Sequence, residues 1–284
     1  ADQEMIFKGV VFNEMKGNYS SADRLLMEYC QQAVFPSNTY AVDSGGDPKA
    51  IPDLTWEQFE DFHKQYYHPA NSFIFFYGDD PVERRFELLE PYLHEFEARK
   101  RNVLVELQAP FAKPTEFRKP YNVAEGESAA KSMINVNWGL EEIVDSGTQL
   151  GLTILDHILC GSSASPLHKA LMDSGLGEDV TGGGFDAVLR QMYFSMGLKG
   201  VEAQDEKKVE KLVIETLENL VSEGIDPGRI EASMNTVEFR LRENNSGTYP
   251  RGLVVMLRAL RPWIHSHDPL PVSYTHLRAH ETQP

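Results

Sequence analysis

The sequence predicts an α+β fold with helices packed on a mostly antiparallel sheet, and three observations carry that expectation. Ser132-Met133-Ile134-Asn135-Val136-Asn137-Trp138 and Tyr193-Phe194-Ser195-Met196-Gly197-Leu198 alternate like half-buried strands. Val209, Leu212, Val213, Thr216, Leu217 and Leu220 recur at helical spacing, as do Ile230, Met234, Val237 and Leu241. The length of 284 residues, 41% hydrophobic and 25% charged, leaves room for one large or two ordinary globular domains.

From the N-terminus, the segment Gly9 to Gly17 is followed by Leu25, Leu26, Tyr29, Cys30 and Ala33 at helical spacing, so Glu14 opens or precedes a long amphipathic helix. Asp43-Ser44-Gly45-Gly46-Asp47-Pro48 breaks it. Thr55 and Gln58 make a capping box for a helix with Trp56, Phe59 and Tyr66 on its apolar face, stopped by Pro69. Ser72-Phe73-Ile74-Phe75-Phe76-Tyr77, ended by Gly78, reads as a buried strand. Pro81 starts a helix carrying Val82, Phe86, Leu89, Leu93 and Phe96.

From Ala98 to about Lys131 the periodicity weakens and Pro110, Pro114 and Pro120 gather, the mark of a strand-bearing linker. Asp145 to Cys160 is an amphipathic helix, Ser162 to Pro166 a helix entry, and Asp226-Pro227 the cap of the next helix. Gly45-Gly46 and Gly182-Gly183-Gly184 read as turns, because no phosphate-loop spacing surrounds them.

The balance of 27 basic against 43 acidic side chains, a net charge of −16, argues against nucleic acid as a partner. An acidic chamber would attract cationic peptides, while on composition alone the acidity equally reads as keeping a large soluble protein dispersed. No run approaches the apolar length that spans a bilayer, and no membrane partner is expected. The two cysteines, Cys30 and Cys160, form no C-x-x-C pair and read as small buried hydrophobes.

Three segments carry a family resemblance. They are Gly9-Val10-Val11-Phe12-Asn13-Glu14-Met15-Lys16-Gly17, Tyr40-Ala41-Val42-Asp43-Ser44-Gly45-Gly46-Asp47-Pro48 and Gln65-Tyr66-Tyr67-His68-Pro69-Ala70-Asn71. Together, in register from about Met5 to about Leu270, they resemble the presequence protease branch of the pitrilysin-type zinc metallopeptidases. Such enzymes use an inverted H-x-x-E-H motif, whose two histidines hold zinc while the glutamate activates water, and a later glutamate supplies the third ligand. The resemblance places that third ligand at Glu14. Without it, Glu14 reads as an ordinary solvated side chain.

No H-x-x-E-H occurs in the sequence, and all nine histidines lie after Glu14, so the catalytic base is expected in an upstream segment absent from this chain. The chain starts with alanine and is read as beginning inside a domain, its targeting segment not present. An internal echo, Thr153 to Ser162, sits where the family's first domain has its H-x-x-E-H, with Thr153 and Asp156 in place of the first histidine and the glutamate. It reads as a decayed copy, with His157 packed or hydrogen-bonded rather than metal-bound.

The resemblance implies two similar pitrilysin-type, metallohydrolase-like domains. Residues 1–100 would be the C-terminal part of a truncated catalytic-type domain, 101–130 a linker, 131–270 a second, non-metal-binding domain, and 271–284 a non-native tail. It also implies a zinc metalloendopeptidase that degrades unfolded peptides such as cleaved presequences, in the mitochondrial matrix or plastid stroma. Its partners would be unfolded peptide substrates and the missing halves of the same polypeptide, and this chain alone would be inactive. The competing expectation is a non-catalytic scaffold subunit or a peptide-binding module.

Overall fold

A computed structural model describes residues 8–99, 104–123, 131–142, 145–243 and 246–269. The expected tail at 271–284 lies outside them. Contacts divide the chain into two units, each built from two stretches: Ala1–Pro48 with Glu106–Phe239, and Lys49–Val105 with Arg240–Pro284.

The first unit is organised by a three-stranded antiparallel sheet in the order β1-β3-β2, with β1 Ser132–Glu142, β2 Asp179–Asp186 and β3 Gln191–Val201. The pairing of Val136 with Met196 and of Asn137 with Ser195 sets the register. Side chains therefore alternate between two different environments. Ile134, Val136 and Trp138 pack with Met196 and Leu198 into the main core. Helix α5 (Ser146–Cys160), α6 (Pro166–Asp173) and α7 (Glu206–Glu223) cover this face through Leu159, Leu167, Leu171, Val209 and Val213. Asn135, Asn137 and Gly139 take the other face, where α2 (Ala22–Val34) lies. There Asn135 Nδ2 donates to Cys30 Sγ at 3.5 Å, and a Cβ at Gly139 would meet Val34 at 3.3 Å.

Local signals hold where their determinants are local. Asp145 caps α5 by accepting the Thr148 N–H at 2.7 Å, and Asp226 accepts the Arg229 N–H at 2.9 Å at the start of α8 (Pro227–Glu243). Gly182-Gly183-Gly184, read as a turn, instead belongs to β2. The register shift between Thr181 and Gly184 is a β-bulge, and Gly182 at φ 93° and Gly184 at φ 67° supply the backbone that it needs. A strand without side chains shows no period, so its pairing with β3 decides its state.

In the second unit, α3 (Trp56–Tyr66) carries the expected capping box, and α4 (Val82–Leu93) follows Pro81. Helix α9 (Arg251–Ile264) contributes Trp263, which meets Phe73 edge to face at 4.8 Å. His68, buried, accepts the Ala70 N–H on Nδ1 at 3.1 Å and sets its ring against Phe96. Two expectations fail here. Ser72 to Tyr77 forms no strand and pairs with no described strand, and Ile74 and Tyr77 are 42% and 57% exposed. The apolar face of α3 is also uncovered, Trp56 and Phe59 being 68% and 62% exposed. A strand needs a ladder partner and an apolar stripe needs a facing surface. Neither is present among the described residues. In α8, Met234 and Leu241, expected inward, are likewise exposed.

Candidate functional site

Glu14 lies on α1 (Val10–Tyr19), a separate helix that precedes α2 across Ser20 and Ser21. Gly9 precedes α1 at φ 151° with no side-chain cap, and no residue of α1 is buried. Ser21 caps α2 by accepting the Arg24 N–H at 3.3 Å, which fixes the break between the two helices. The Glu14 carboxylate is exposed and makes no hydrogen bond or ion pair with another described residue. An unpaired carboxylate is a suitable oxygen ligand for a divalent cation.

The last turn of α1 is tied down. Tyr19 Oη donates to Asp43 Oδ2 at 2.9 Å and lies 3.5 Å from the Gly46 carbonyl. Asp43 Oδ1 accepts the Gly45 N–H at 2.7 Å, so the Asp43 to Gly46 segment closes on its own carboxylate. Burial, and then the hydrogen bond to Asp43, pushes the Tyr19 phenol well above its ordinary range. Burial and the negative Asp43 raise the Glu28 carboxyl as well. Sequence reasoning noted Tyr40 to Pro48 but missed that Tyr19 reaches it, since the partners are 24 positions apart. The tyrosine after Gly17 was the available signal.

Among the described residues no group of three or more His, Cys, Asp or Glu side chains could hold a metal. Glu14 can offer one oxygen ligand to a metal site that needs further residues. At the internal echo, His157 Nδ1 lies 3.0 Å from Ser233 Oγ, linking α5 to α8. The Phe185 N–H donates to Asp156 Oδ1, and the Cys160 thiol lies 3.2 Å from the same oxygen. These contacts are structural. Cys30 is buried as expected but polar in its surroundings, and Cys160 is only half-buried.

A second feature of the first unit is a wide groove between α2, α7, the extended segment around Pro110 to Pro120, and β1. β1 lies at the edge of the described sheet, so one side of its backbone faces this groove with no ladder partner among the described residues. Tyr29, Phe117 and Trp138 give it aromatic walls.

Comparison with known proteins decides what this arrangement belongs to. Residues 53–237 match the family model described as the peptidase M16 inactive domain. The chain belongs to the peptidase M16 family. It is 48% identical over 278 residues to presequence protease 1, chloroplastic/mitochondrial, of Arabidopsis thaliana, covering 96% of this chain and 26% of that protein. It is 41% identical over 278 residues to protein HypA of Clostridium perfringens, covering 97% of this chain and 28% of the relative. The chain thus spans about a quarter of the length of these curated relatives. The crystal structure of the peptidase M16 inactive domain from Pseudomonas fluorescens superposes with a TM-score of 0.68 at 16% identity, covering 96% of this chain and 63% of that one. That likeness establishes the pitrilysin-type fold, with mixed helices on a small antiparallel sheet. The expected family and fold class both hold for this M16 chain.

Proposed function

We propose that this M16 chain is part of a zinc metalloendopeptidase that degrades unfolded peptides such as cleaved organellar presequences, and that Glu14 is its third zinc ligand. The observation that carries the reading is the pairing of an exposed Glu14 carboxylate, without a partner among the described residues, on a short helix with 48% identity to a presequence protease. In the complete polypeptide zinc would supply Lewis acidity and an activated water. Glu14 would contribute one negative oxygen to holding it. With one ligand and no base, the chain by itself is inactive.

The domain division at 1–100, 101–130 and 131–270 is part of the same proposal. In support of the last domain, the main core draws all its members from residues 134 to 220, whereas the contacts that join Ala1–Pro48 to Glu106–Phe239 cut across the other two boundaries. The open edge of β1 along a groove supports peptides as partners, because an extended chain can add to an exposed strand edge. Mitochondrial matrix or plastid stroma is the proposed compartment, from the name of the Arabidopsis relative. The matched family model describes an inactive domain, and this favours a second reading: a scaffold subunit or peptide-binding module without chemistry.

A fluorogenic peptide assay separates the readings. The isolated chain should show no chelator-sensitive cleavage, whereas the full coding sequence with an upstream H-x-x-E-H should show it. Zinc-dependent cleavage by the isolated chain that survives Glu14→Ala would place the site elsewhere. A full coding sequence without H-x-x-E-H would establish the scaffold.

A further inference from the structure

We propose that Tyr19 is the positioning residue for Glu14, acting through its hydrogen bond to Asp43; this rests on the reading of Glu14 as a zinc ligand. A ligand carried on a helix is only as well placed as the helix. Helix α1 has no buried residue, and no side chain caps its N-terminus. Its C-terminal end is different. Tyr19 is half-buried and its hydroxyl reaches Asp43 Oδ2 at 2.9 Å.

The acceptor is itself immobilised. Asp43 receives the Gly45 N–H on its other oxygen at 2.7 Å, and the Gly46 N–H donates to the Asp43 carbonyl at 3.0 Å. Just upstream, Gln31 Nε2 of α2 donates to the Tyr40 carbonyl at 3.1 Å, and Tyr40 Oη accepts the Arg190 N–H at 3.1 Å. Arg190 leads into β3, so the acceptor turn is connected to the sheet through short polar links. Glu14 lies five residues before Tyr19, about 7.5 Å along the axis at the helical rise of about 1.5 Å per residue. Over that distance a hydrogen-bonded helix is stiff. Fixing the end that bears Tyr19 therefore fixes where Glu14 points, as partners behind a metal ligand commonly do.

Hydrogen exchange on the 284-residue chain tests the latch first. Tyr19→Phe should open the amides of residues 10–19 roughly fivefold more often, the loss expected of one neutral hydrogen bond, and leave β3 unchanged. Tyr249→Phe, at an exposed tyrosine in the other unit, should change neither. Unaltered exchange in α1 overturns the proposal.

Zinc retention against a chelator is then measured on the complete polypeptide carrying the upstream motif. Tyr19→Phe should lose zinc roughly tenfold more readily with an unmoved unfolding midpoint, the size typical of removing a partner behind a ligand. If Glu14→Gln weakens retention but Tyr19→Phe does not, positioning by Tyr19 is overturned and the ligand assignment stands. If Glu14→Gln retains zinc like the parent, the ligand assignment fails and takes this proposal with it.

Discussion

The Phe185 N–H donates to Asp156 Oδ1 at 2.8 Å and so joins the middle of α5 to the residue just past the bulge in β2. A Cβ at Gly184 would collide with the same oxygen. Strand, bulge and helix therefore meet at one carboxylate, at the position where the family's catalytic domain carries its glutamate in the resemblance above. In this domain the acid serves as a brace.

Removing that brace should cost stability. Asp156→Ala leaves the half-buried Phe185 N–H without its acceptor, and a loss of about 1 to 3 kcal/mol is expected. Gly184→Ala should cost at least as much, because φ 67° is strained for alanine and its methyl meets Asp156. Urea unfolding followed by circular dichroism measures both. Midpoints equal to the parent's would show that the bulge tolerates both changes.

Glu206 gives the pH dependence a defined source. The Ser132 hydroxyl, then the Arg118 guanidinium, holds its carboxyl below the usual glutamate range. A carboxyl depressed in the folded state contributes stability that is present above its unfolded value, about 4.3. That contribution is lost as pH falls through the lower folded value. Glu206→Gln should therefore be less stable than the parent at neutral pH, and its stability should fall less steeply on acidification. Parallel pH curves for the two proteins would remove Glu206 from the account.

Both thiols should resist reagents while the chain is folded. Burial pushes Cys30 up, and Cys160 is raised by burial and then by the negative charge of Asp156. Little thiolate is available at either sulfur, and thiolate is the reactive form. With a chromogenic disulfide at pH 8, both should react slowly in the native protein and quickly in denaturant. Fast reaction of one native thiol, assigned by a Cys→Ser variant, would contradict the packing around it.

Hydrogen exchange should rank the strands. β3 is the central strand, with Leu198 and Val201 fully buried, so its amides should be among the slowest. The amides of Ser72 to Tyr77 have no ladder partner among the described residues and should exchange far faster. Comparable protection in the two segments would mean that the run has a pairing partner.

The sequence alone determined the elements whose signals are local. Periods of two and of about 3.6 residues located β1, β3, α2, α5 and α7, and the Thr55-Gln58 box and the Asp145 and Asp226 caps marked helix starts, because each depends on residues within a turn of one another. It also placed the chain in its family. Only the tertiary structure decided what depends on a partner far along the chain. The three glycines of β2 have no side-chain pattern and become a strand through β3, while Ser72 to Tyr77 has the pattern and no ladder among the described residues. The apolar face of α3 reads as core, yet nothing described covers it. Tyr19 and Asp43 form no motif, because their hydrogen bond exists only once α1 and the Asp43 turn are brought together in the fold.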